Sequence, residues 1–573
     1  MNHMTRLKSI YMAVALLIMF PMTEISGQDP FDLDEIKVVA PYEPSISDAF
    51  KIILNPRIED TLDVNFDFTY NIFPKKIIPA YVPESISAAR MRGEPLTKLY
   101  RVFIKGGYGN YSSPYFEGFY NALRSNSGSL SLHLRHLSSG GGIPNVGHNA
   151  YSDNSAAING QKFFRRTNIA GDLGYERNVL HYYGFKRGDF ENNLPVLEMI
   201  DSLSNNDIRQ KFDLLSANIR FGSNLPDSTR IRHQNKVGYR FLRDLHDVTE
   251  HHVVYQGYLG RNIEADPFGL ADKQHISLDL NAEYLNNMNL ADTSSTYLVG
   301  LQPRLWSKYQ KIQFYIGVNT VFQIDTASYF RAYPLLGAEL NIISNKLNAF
   351  IQLSGNTEKH SMLSLKGVNP FLNTNIPYAF MNVKTDVGGG IKGAIGDIIG
   401  FSLSVNRAVI ENHPFFVNDT SFVLNNRFSV VYDNVSRFNV RGNISAKFGE
   451  RFSAAVTADH YQYGLTNETE AWHTPLNTIS GSLRYSLQNK IIFSTEVFTR
   501  SKTVGRVFDE NGEQSSAVAH PFHADINFGL EYRYTKNLSV FLNFSNVSNK
   551  SFERWLNYPT QRFNFLGGAS FSF

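Results

Sequence analysis

The chain ends on FNFLGGASFSF, residues 563–573, in which apolar side chains alternate with polar or small ones. Four phenylalanines fall on one face of this stretch, and Leu566 is the one large apolar residue on the other. Because the side chains of a β-strand point alternately to its two faces, this pattern predicts a strand with one apolar face. That face would point into the core of a soluble sandwich or towards the lipid around a membrane barrel.

The same alternation recurs along the chain from Tyr100 onwards. It is clear in HISLDLNAEY (275–284), TISGSLRYSLQ (478–488) and FHADINFGLEYRY (522–534), where polar or charged residues oppose a long apolar face. Many such strands in succession favour a membrane barrel over a sandwich. In a barrel, we expect the following side chains to face lipid: Ile276, Leu278, Leu280, Ile526, Phe528 and Phe571.

Turn signals of two lengths divide residues 100–573 into strands. Short signals occur at 124–129, 225–229, 309–311, 344–346, 396–397, 449–450, 488–490 and 535–537, with weaker ones near 165–167 and 265–274. Longer polar loops lie between them, at 139–153, 187–208, 357–378, 411–425, 465–475 and 503–521. Short connections at one rim and long ones at the other are typical of outer-membrane barrels. The sequence therefore predicts an all-β fold, a closed antiparallel transmembrane β-barrel of about 22 strands with both ends on the periplasmic side.

Residues 1–27 have the features of a signal peptide. Arg6 and Lys8 precede an apolar run of 11 residues, Ile10–Phe20, and small residues follow at 26–27. This run is too short to span a bilayer as a helix, which takes about 20 residues. The 43 Phe and 30 Tyr residues suit the aromatic girdles of a barrel. We therefore expect the protein to lie in the bacterial outer membrane, in contact with its lipid.

Residues 28–99 differ in composition from the rest of the chain, since these 72 residues hold 8 of the 22 prolines. Proline removes a backbone donor and restricts the residue before it, so extensive sheet pairing is disfavoured. So short a segment also buries too little apolar surface to offset its ordering entropy alone. We predict that it forms no independent domain and lies at the periplasmic mouth of the barrel or partly in its lumen.

The stretch GLEYRYTKNLSVFLNFSNVSNKSFERWLNYPTQRFNFLGGASFSF, residues 529–573, resembles the C-terminal end of TonB-dependent receptors. The matching features are a strand rich in Tyr and Arg, a short turn, and a strand that runs into Asn-Val-Ser-Asn (546–549). A Tyr-Pro pair (558–559) and a final strand ending in Phe follow. The resemblance covers roughly residues 100–573 and implies a barrel of the receptor type.

One departure from the receptor pattern bears on function. Those receptors carry an N-terminal plug domain, whereas residues 28–99 are short, rich in proline and without the Gly-rich plug pattern. The segment LDEIKVVAP (33–41) is similar to the stretch that such receptors offer to TonB, and an extended linker is the alternative. The residues that would form this TonB-box-like segment are Asp34, Glu35, Ile36, Val38 and Val39.

Three functions are compatible with these features. The first is a barrel without a full plug that serves as a non-catalytic subunit or scaffold of an outer-membrane protein complex, with other outer-membrane or periplasmic proteins as partners. The second is a nutrient transporter driven by TonB or gated by a partner, and the third is a passive pore. The barrel architecture itself does not select among them.

The sequence offers no catalytic, metal-binding or cofactor-binding motif. His133 and His136 are three residues apart and would face opposite sides of a strand, so they could not share a metal. We therefore expect no enzyme activity and no cofactor, and the net charge of +3 without a basic run gives no indication of nucleic-acid binding.

Two apolar loop segments are candidate partner contacts. Residues 193–203 combine helical spacing with an early proline, which predicts a short helix, packed in the barrel mouth or docking another protein. Residues 361–380 are unusually apolar for a loop, and exposed apolar patches often mark interfaces. The candidate contact residues are Leu194, Leu197, Ile200, Leu203, Met362, Leu363 and Phe371.

Overall fold

The computed structural model describes residues 100–573 except 123–124, 126, 225–229, 264–272, 289–292, 345 and 509–513. The predicted signal peptide, the proline-rich segment and the TonB-box-like residues lie outside the described part. These assignments therefore stay predictions.

A sheet of 22 antiparallel strands forms the body of the protein. Its strands are β1 (Val102–Gly109), β2 (Ser113–Asn121), β3 (Gly128–Ser139), β4 (Tyr151–Phe163), β5 (Thr167–His181), β6 (Arg209–Ser223), β7 (Arg232–Arg243), β8 (Thr249–Ile263), β9 (Lys273–Met288), β10 (Thr293–Tyr309), β11 (Ile312–Ile324), β12 (Ser328–Ile343), β13 (Leu347–Lys359), β14 (Phe380–Ile395), β15 (Ile399–Asn418), β16 (Phe428–Phe448), β17 (Phe452–Leu465), β18 (Asn477–Leu487), β19 (Ile491–Arg500), β22 (His523–Arg533), β23 (Leu538–Ser545) and β26 (Asn564–Ser572). Two hairpins stand outside this sheet, β20 (Thr503–Phe508) with β21 (Gln514–His520), and β24 (Glu553–Trp555) with β25 (Tyr558–Pro559). The predicted strand number and the antiparallel order are confirmed.

The last barrel strand pairs with the first, so the sheet is closed. The register of β1 with β26 runs from Phe103 opposite Ser572 to Gly109 opposite Leu566. At the periplasmic end, the backbone N–H of Phe573 donates to the carbonyl of Val102, and the N–H of Val102 donates in return, both at 3.0 Å. Closure leaves no strand edge with unpaired backbone groups in the hydrocarbon layer.

Glycines bring the two closing strands close together. Gly107 and Gly568 lie opposite each other, and the buried ring of Phe541 covers both from the neighbouring strand β23. A Cβ at Gly107 would lie 3.0 Å from the Phe541 ring, and one at Gly568 would lie 2.7 Å from it. The aromatic ring therefore fills the space that the two missing side chains leave, a packing that rescues glycines in sheets.

The outer surface of the barrel is apolar. Ile276, Ile526 and Phe571 are exposed, and Leu278, Leu280 and Phe528 are partly exposed on the same strand faces. Aromatic contacts run across neighbouring strands on this surface, as from Phe528 to Phe544 at 6.3 Å between ring centroids. The predicted lipid-facing side chains are therefore outside the barrel.

The lumen wall is polar and carries paired charges. Ion pairs join neighbouring strands at Asp279–Arg304 (2.9 Å) and Asp459–Arg441 (2.8 Å), and the pair Glu339–Lys392 (2.9 Å) spans β13 from β12 to β14. These side chains alternate with the lipid-facing ones, as period-two strands require. The lumen is therefore lined by charges of both signs.

The two rims differ as predicted. At the rim that holds both barrel ends the connections are short, for example 310–311, 396–398, 449–451 and 488–490. At the opposite, extracellular rim the long connections are 140–150, 182–208, 360–379, 419–427, 466–476, 501–522 and 546–563. The predicted loop 411–425 is wrong in its first half, because β15 continues to Asn418. Its residues Phe415 and Val417 are buried against Trp472, which extends the strand beyond the expected boundary.

Two α-helices lie in the described parts of the long loops. The helix Leu194–Ser202 starts after Asn193, whose side chain accepts a hydrogen bond from the N–H of Val196, and it has a proline in its first turn. The helix Met362–Val368 starts with a capping box formed by Ser361 and Ser364. None of the described helices is long and apolar enough to cross a membrane.

The facing of β9 predicts a difference between two adjacent arginine substitutions. Leu280→Arg places a charge against lipid and should lower the free energy of unfolding by about 2–4 kcal/mol near the bilayer midplane. Asn281→Arg places the same charge in the lumen and should cost far less. Urea titration of both variants refolded in lipid vesicles measures the difference, and equal stabilities would contradict the assigned faces.

Candidate functional site

Five extracellular loops fold over the mouth of the barrel and pack against one another. We call these loops the lid, and its segments are 182–208, 360–379, 419–427, 466–476 and 546–563. One buried apolar cluster joins lid residues to Phe212 of β6 and to Phe428 of β16. Strands β6 and β16 are 10 positions apart in the closed sheet of 22, so they lie on opposite walls. The cluster therefore crosses the mouth.

Tyr558 lies at the centre of the lid. Its side chain is 2% exposed, and its ring stacks on Phe371 with 3.8 Å between centroids. The ring of Tyr183 contacts it edge-on at 4.8 Å. The Tyr558 hydroxyl donates to the carbonyl of Asn426 at 2.5 Å. Burial, followed by the neighbouring tyrosines, raises the pKa of Tyr558 well above its ordinary value, so the hydroxyl keeps its proton and remains a donor.

Hydrogen bonds between loops complete the packing. The hydroxyl of Tyr182 donates to the carbonyl of Leu372 at 2.7 Å, and the side-chain amide of Asn426 donates to the carbonyl of Tyr182 at 2.7 Å. Backbone hydrogen bonds also join loop 360–379 to the start of β16. The N–H of Phe428 donates to the carbonyl of Phe371 at 3.0 Å. These hydrogen bonds pair buried polar groups of different loops, so they fix how the loops pack against one another.

The apolar content of the lid makes the closed mouth stable. Met362, Leu365 and Leu372 are each at most 2% exposed in the lid core. Burying one such side chain stabilises a fold by about 1.5–3 kcal/mol. Separation of the loops would expose several of them at once. The closed arrangement is therefore the expected resting state of this mouth.

The structure places the predicted partner-contact residues in this lid. Leu194 is 70% exposed at the start of its helix, whereas Met362 is 1% exposed in the core of the lid. Leu363 and Phe371 pack against that core, and Ile200 and Leu203 pack against a second cluster around Tyr182. The helix predicted for 193–203 is thus present and packs in the mouth. Contact with another protein stays a prediction, and Leu194 is its most exposed candidate.

Apart from Phe371, the central aromatic residues of the lid are missing from the contact residues that the sequence predicts. They lie in HYYGF (181–185), in RWLNYP (554–559) and at Trp472. Aromatic clusters within predicted loops are the signal that could have identified them, because solvated loops rarely need several large rings.

A cavity of about 850 Å³ lies beside the lid, between the β20–β21 hairpin and loop 546–563. Lys186, Arg506 and Lys550 line it, with Glu553 as the acidic residue of its lining. Glu553 is 3.8 Å from the ammonium of Lys186 and 3.7 Å from the His520 ring. Glu553 offsets the charge of Lys186, and Glu468 offsets that of Arg506 at 3.3 Å, so Lys550 leaves the cavity one net positive charge. The cavity therefore suits a small anionic group.

His473 is buried at the edge of the lid. It is 3% exposed and lies 5.5 Å from the ring of Phe428 and 5.3 Å from that of Trp555. Neither ring nitrogen has a hydrogen-bond partner among the described residues. Burial, followed by the nearby His520 and Arg500, lowers the pKa of His473 to about 3. The closed lid therefore holds this imidazole in its neutral form.

The described residues contain no group of three or more His, Cys, Asp or Glu side chains placed to hold a metal. His133 and His136 have different partners, as their spacing predicted. His133 lies 3.2 Å from Glu117, and His136 lies 2.6 Å from the side-chain oxygen of Asn154.

A methyl group under Tyr558 should open the lid. A Cβ at Gly184 would clash with the Tyr558 ring, whereas a Cβ at Gly188, in the same loop, meets its nearest atom only at 3.8 Å. We expect Gly184→Ala to raise single-channel conductance in planar bilayers and Gly188→Ala to leave it unchanged. If both variants conduct like the unmodified chain, the lid does not control the mouth.

Acid should also loosen the lid through His473. Because its pKa is lowered on closure, the unfolded or open lid binds the proton better, and the closed lid loses stability as pH falls below about 6.5 towards 3. The loss should be about 2 kcal/mol at pH 5. Trp472 and Trp555, two of the three tryptophans, report lid opening by increased quenching with acrylamide.

Two variants make this pH experiment specific. His473→Phe should reduce the acid response and leave the part due to His360, a second buried lid histidine whose pKa burial lowers to about 4. His136→Phe, which changes a histidine outside the lid, should leave the whole response in place. An acid response that is unaffected by His473→Phe would assign the loosening to another group.

No family model and no curated protein matches this chain. Among solved structures, the FrpB iron transporter from Neisseria meningitidis (F3-3 variant) aligns with a TM-score of 0.62 and 11% identity, covering 83% of this chain and 82% of that one. The ferric-catecholate import receptor Fiu from E. coli K12 aligns with a TM-score of 0.60 and 10% identity, covering 83% and 82%. The siderophore receptor PirA from Acinetobacter baumannii aligns with a TM-score of 0.59 and 10% identity, covering 82% of this chain and 80% of that one.

At these identities the likeness concerns the fold alone. It supports, at the level of architecture, the resemblance to TonB-dependent receptors first noted in residues 529–573. The absence of a plug concerns residues 28–99, outside the described part, and stays a prediction. The chain is therefore an outer-membrane β-barrel with the fold of the iron and siderophore receptors and a mouth closed by its own loops.

Proposed function

We propose that this protein is a non-catalytic subunit or scaffold of an outer-membrane protein complex. The observation that carries the proposal is the lid, whose buried core joins opposite walls of the barrel. A passive pore needs an open mouth, and this mouth is filled by side chains such as Tyr558 and Leu372. A scaffold, in contrast, needs a permanently ordered surface, which a packed lid provides.

The outer side of the lid offers an apolar contact for a partner. Leu194 is 70% exposed and Val423 is 60% exposed, while their neighbours Val196 and Leu424 are buried together in one cluster beneath. Ordered apolar side chains on a well-packed support are typical of the centre of a protein interface. A partner protein that covers these two residues would contact both the 182–208 loop and the 419–427 loop.

A second function, gated uptake, is favoured by the fold. Iron and siderophore receptors share this barrel architecture, and the positively lined cavity beside the lid could accept an anionic solute. Under this alternative, residues 33–41 would engage TonB, and a partner or TonB itself would open the lid. The solute, if there is one, would then enter through the mouth after Tyr558 leaves its site.

Purification of the full chain from mildly solubilised outer membranes tests the first function. We expect a partner in a fixed molar ratio, measured by the mass of the native complex. Leu194→Asp should lower its yield, because it places a charge in the apolar contact. Glu198→Gln, an exposed change on the same helix, should leave the yield unchanged.

The outcome separates the two functions. A chain purified without any stoichiometric partner would contradict the scaffold proposal. Loss of growth on a solute after deletion of residues 34–39, with the barrel still folded, would then support energised uptake.

A further inference from the structure

We propose that the outward face of β5, β6 and β7, at the extracellular end of these strands, binds the phosphate groups of an outer-leaflet glycolipid. This inference is independent of the function proposed above. It rests on which side chains the three strands turn outwards, on the charges among them, and on the apolar and aromatic residues directly below.

The facing of each strand is fixed by the lid. Leu180, Phe212, Leu214 and Leu242 contact the lid core and therefore point into the barrel. Because successive side chains alternate, the odd-numbered residues of all three strands point outwards. The exposure of Leu173, Leu215 and Tyr239 on the same faces agrees with this assignment.

Four cations lie on this outward face. Arg177, Asp213 and Arg243 are directly opposite one another across the three strands and form one row. Lys211 lies two residues nearer the extracellular end of β6 than Asp213, and Arg209 lies two residues nearer that end than Lys211. Opposite residues in a sheet have Cβ atoms about 5 Å apart, so these cations surround a common surface.

The carboxylates nearby do not balance these cations. Asp213 is shared, since it lies 3.3 Å from the guanidinium of Arg177 and 3.1 Å from the ammonium of Lys211, and it accepts a hydrogen bond from Tyr175 at 2.8 Å. Asp247, in the turn after β7, pairs with Arg243 at 2.5 Å. Asp244, the residue after Arg243, also acts on that guanidinium. Four cations with three carboxylates still leave an excess of positive charge. We call this surface, Arg177, Arg209, Lys211, Asp213 and Arg243, the outer basic patch.

The row of side chains next to the patch, on its periplasmic side, contacts lipid. Tyr175, Leu215 and Phe241 are paired across the same three strands two residues lower, a distance of about 7 Å along the strands. Tyrosine and apolar side chains at this level mark the boundary between hydrocarbon and headgroups. The patch therefore lies where the headgroups of outer-leaflet lipids are, outside the barrel and away from its lumen.

The position of the patch beside the apolar surface favours a lipid phosphate over a free phosphate ion. A free phosphate ion would need no apolar support, whereas a glycolipid can place its acyl chains against Leu173, Leu215 and Tyr239 while its phosphates reach the patch. Arg177 and Arg243 can each donate two parallel hydrogen bonds to a phosphate, and Lys211 adds a point charge between them. The lipid would thus contact all three strands at once.

Native mass spectrometry of the full-length protein in detergent tests the proposal, with bis-phosphorylated lipid A as the probe. The matched variants are Arg243→Gln, which removes an outward cation of β7, and Arg240→Gln, which removes a lumen-facing cation three residues earlier. A cation near a membrane surface contributes about 1 kcal/mol, so Arg243→Gln should weaken binding about fivefold. Arg240→Gln should leave it unchanged.

Three further measurements define the site. Lys211→Gln combined with Arg243→Gln should weaken binding about 25-fold, and Asp213→Asn should strengthen it by removing the shared carboxylate. Lipid A without phosphates should bind much more weakly to the unmodified protein. Equal binding of the dephosphorylated lipid, equal effects of Arg243→Gln and Arg240→Gln, or complete displacement of lipid A by millimolar inorganic phosphate would each overturn the proposal.

Discussion

Every backbone N–H and C=O group in the hydrocarbon layer has to be hydrogen-bonded within the protein, and the rest of this structure depends on that constraint. The pairing of β1 with β26 meets it by removing the last two free edges of the sheet. Glycines at the contact let the two backbones approach, and the ring of Phe541 fills the resulting space. Once the sheet is closed, the period-two pattern determines which side chains meet lipid and which meet the lumen.

A closed barrel of 22 strands also needs a barrier across its lumen. A sheet of 22 strands encloses a wide space, and a barrel of that width conducts water and solutes unless something fills it. In this chain the extracellular loops supply the barrier on one side, with their own apolar core and hydrogen bonds. The protein thus has two kinds of interior, a polar lumen wall and an apolar lid, and different sequence patterns produce them.

The sequence predicted the barrel well because the signals for it are local. Alternation within a strand and turn residues between strands can be recognised in a few residues, as in 275–284 and at 488–490. Loop 411–425 was misplaced because Phe415 and Val417 are held in β15 by Trp472, a contact that no local pattern indicates. Strand β15 therefore continues past the polar residues around 412 and ends after the residues that pack against Trp472.

The lid could not be predicted from local sequence patterns, because its contacts join residues that are far apart in the chain. Tyr558 and Asn426 are 132 residues apart, and Tyr182 and Leu372 are 190 apart, so only the closed barrel brings them together. Apolar residues such as Met362 and Phe371 were correctly recognised as unusual in a loop. They pack within the lid core, because apolar composition marks a segment that needs burial and does not specify which surface buries it.

The backbone pairing of Val102 with Phe573 also bears on biogenesis. The two residues are separated by almost the whole described length of the chain, so this contact is among the last that the protein can form as it folds. A chain shortened within β26 would keep most of its strands and would still expose an unpaired edge. Such a species cannot satisfy its backbone groups in a bilayer and would remain available to periplasmic proteases, so the β1–β26 pairing is the step that makes the inserted barrel durable.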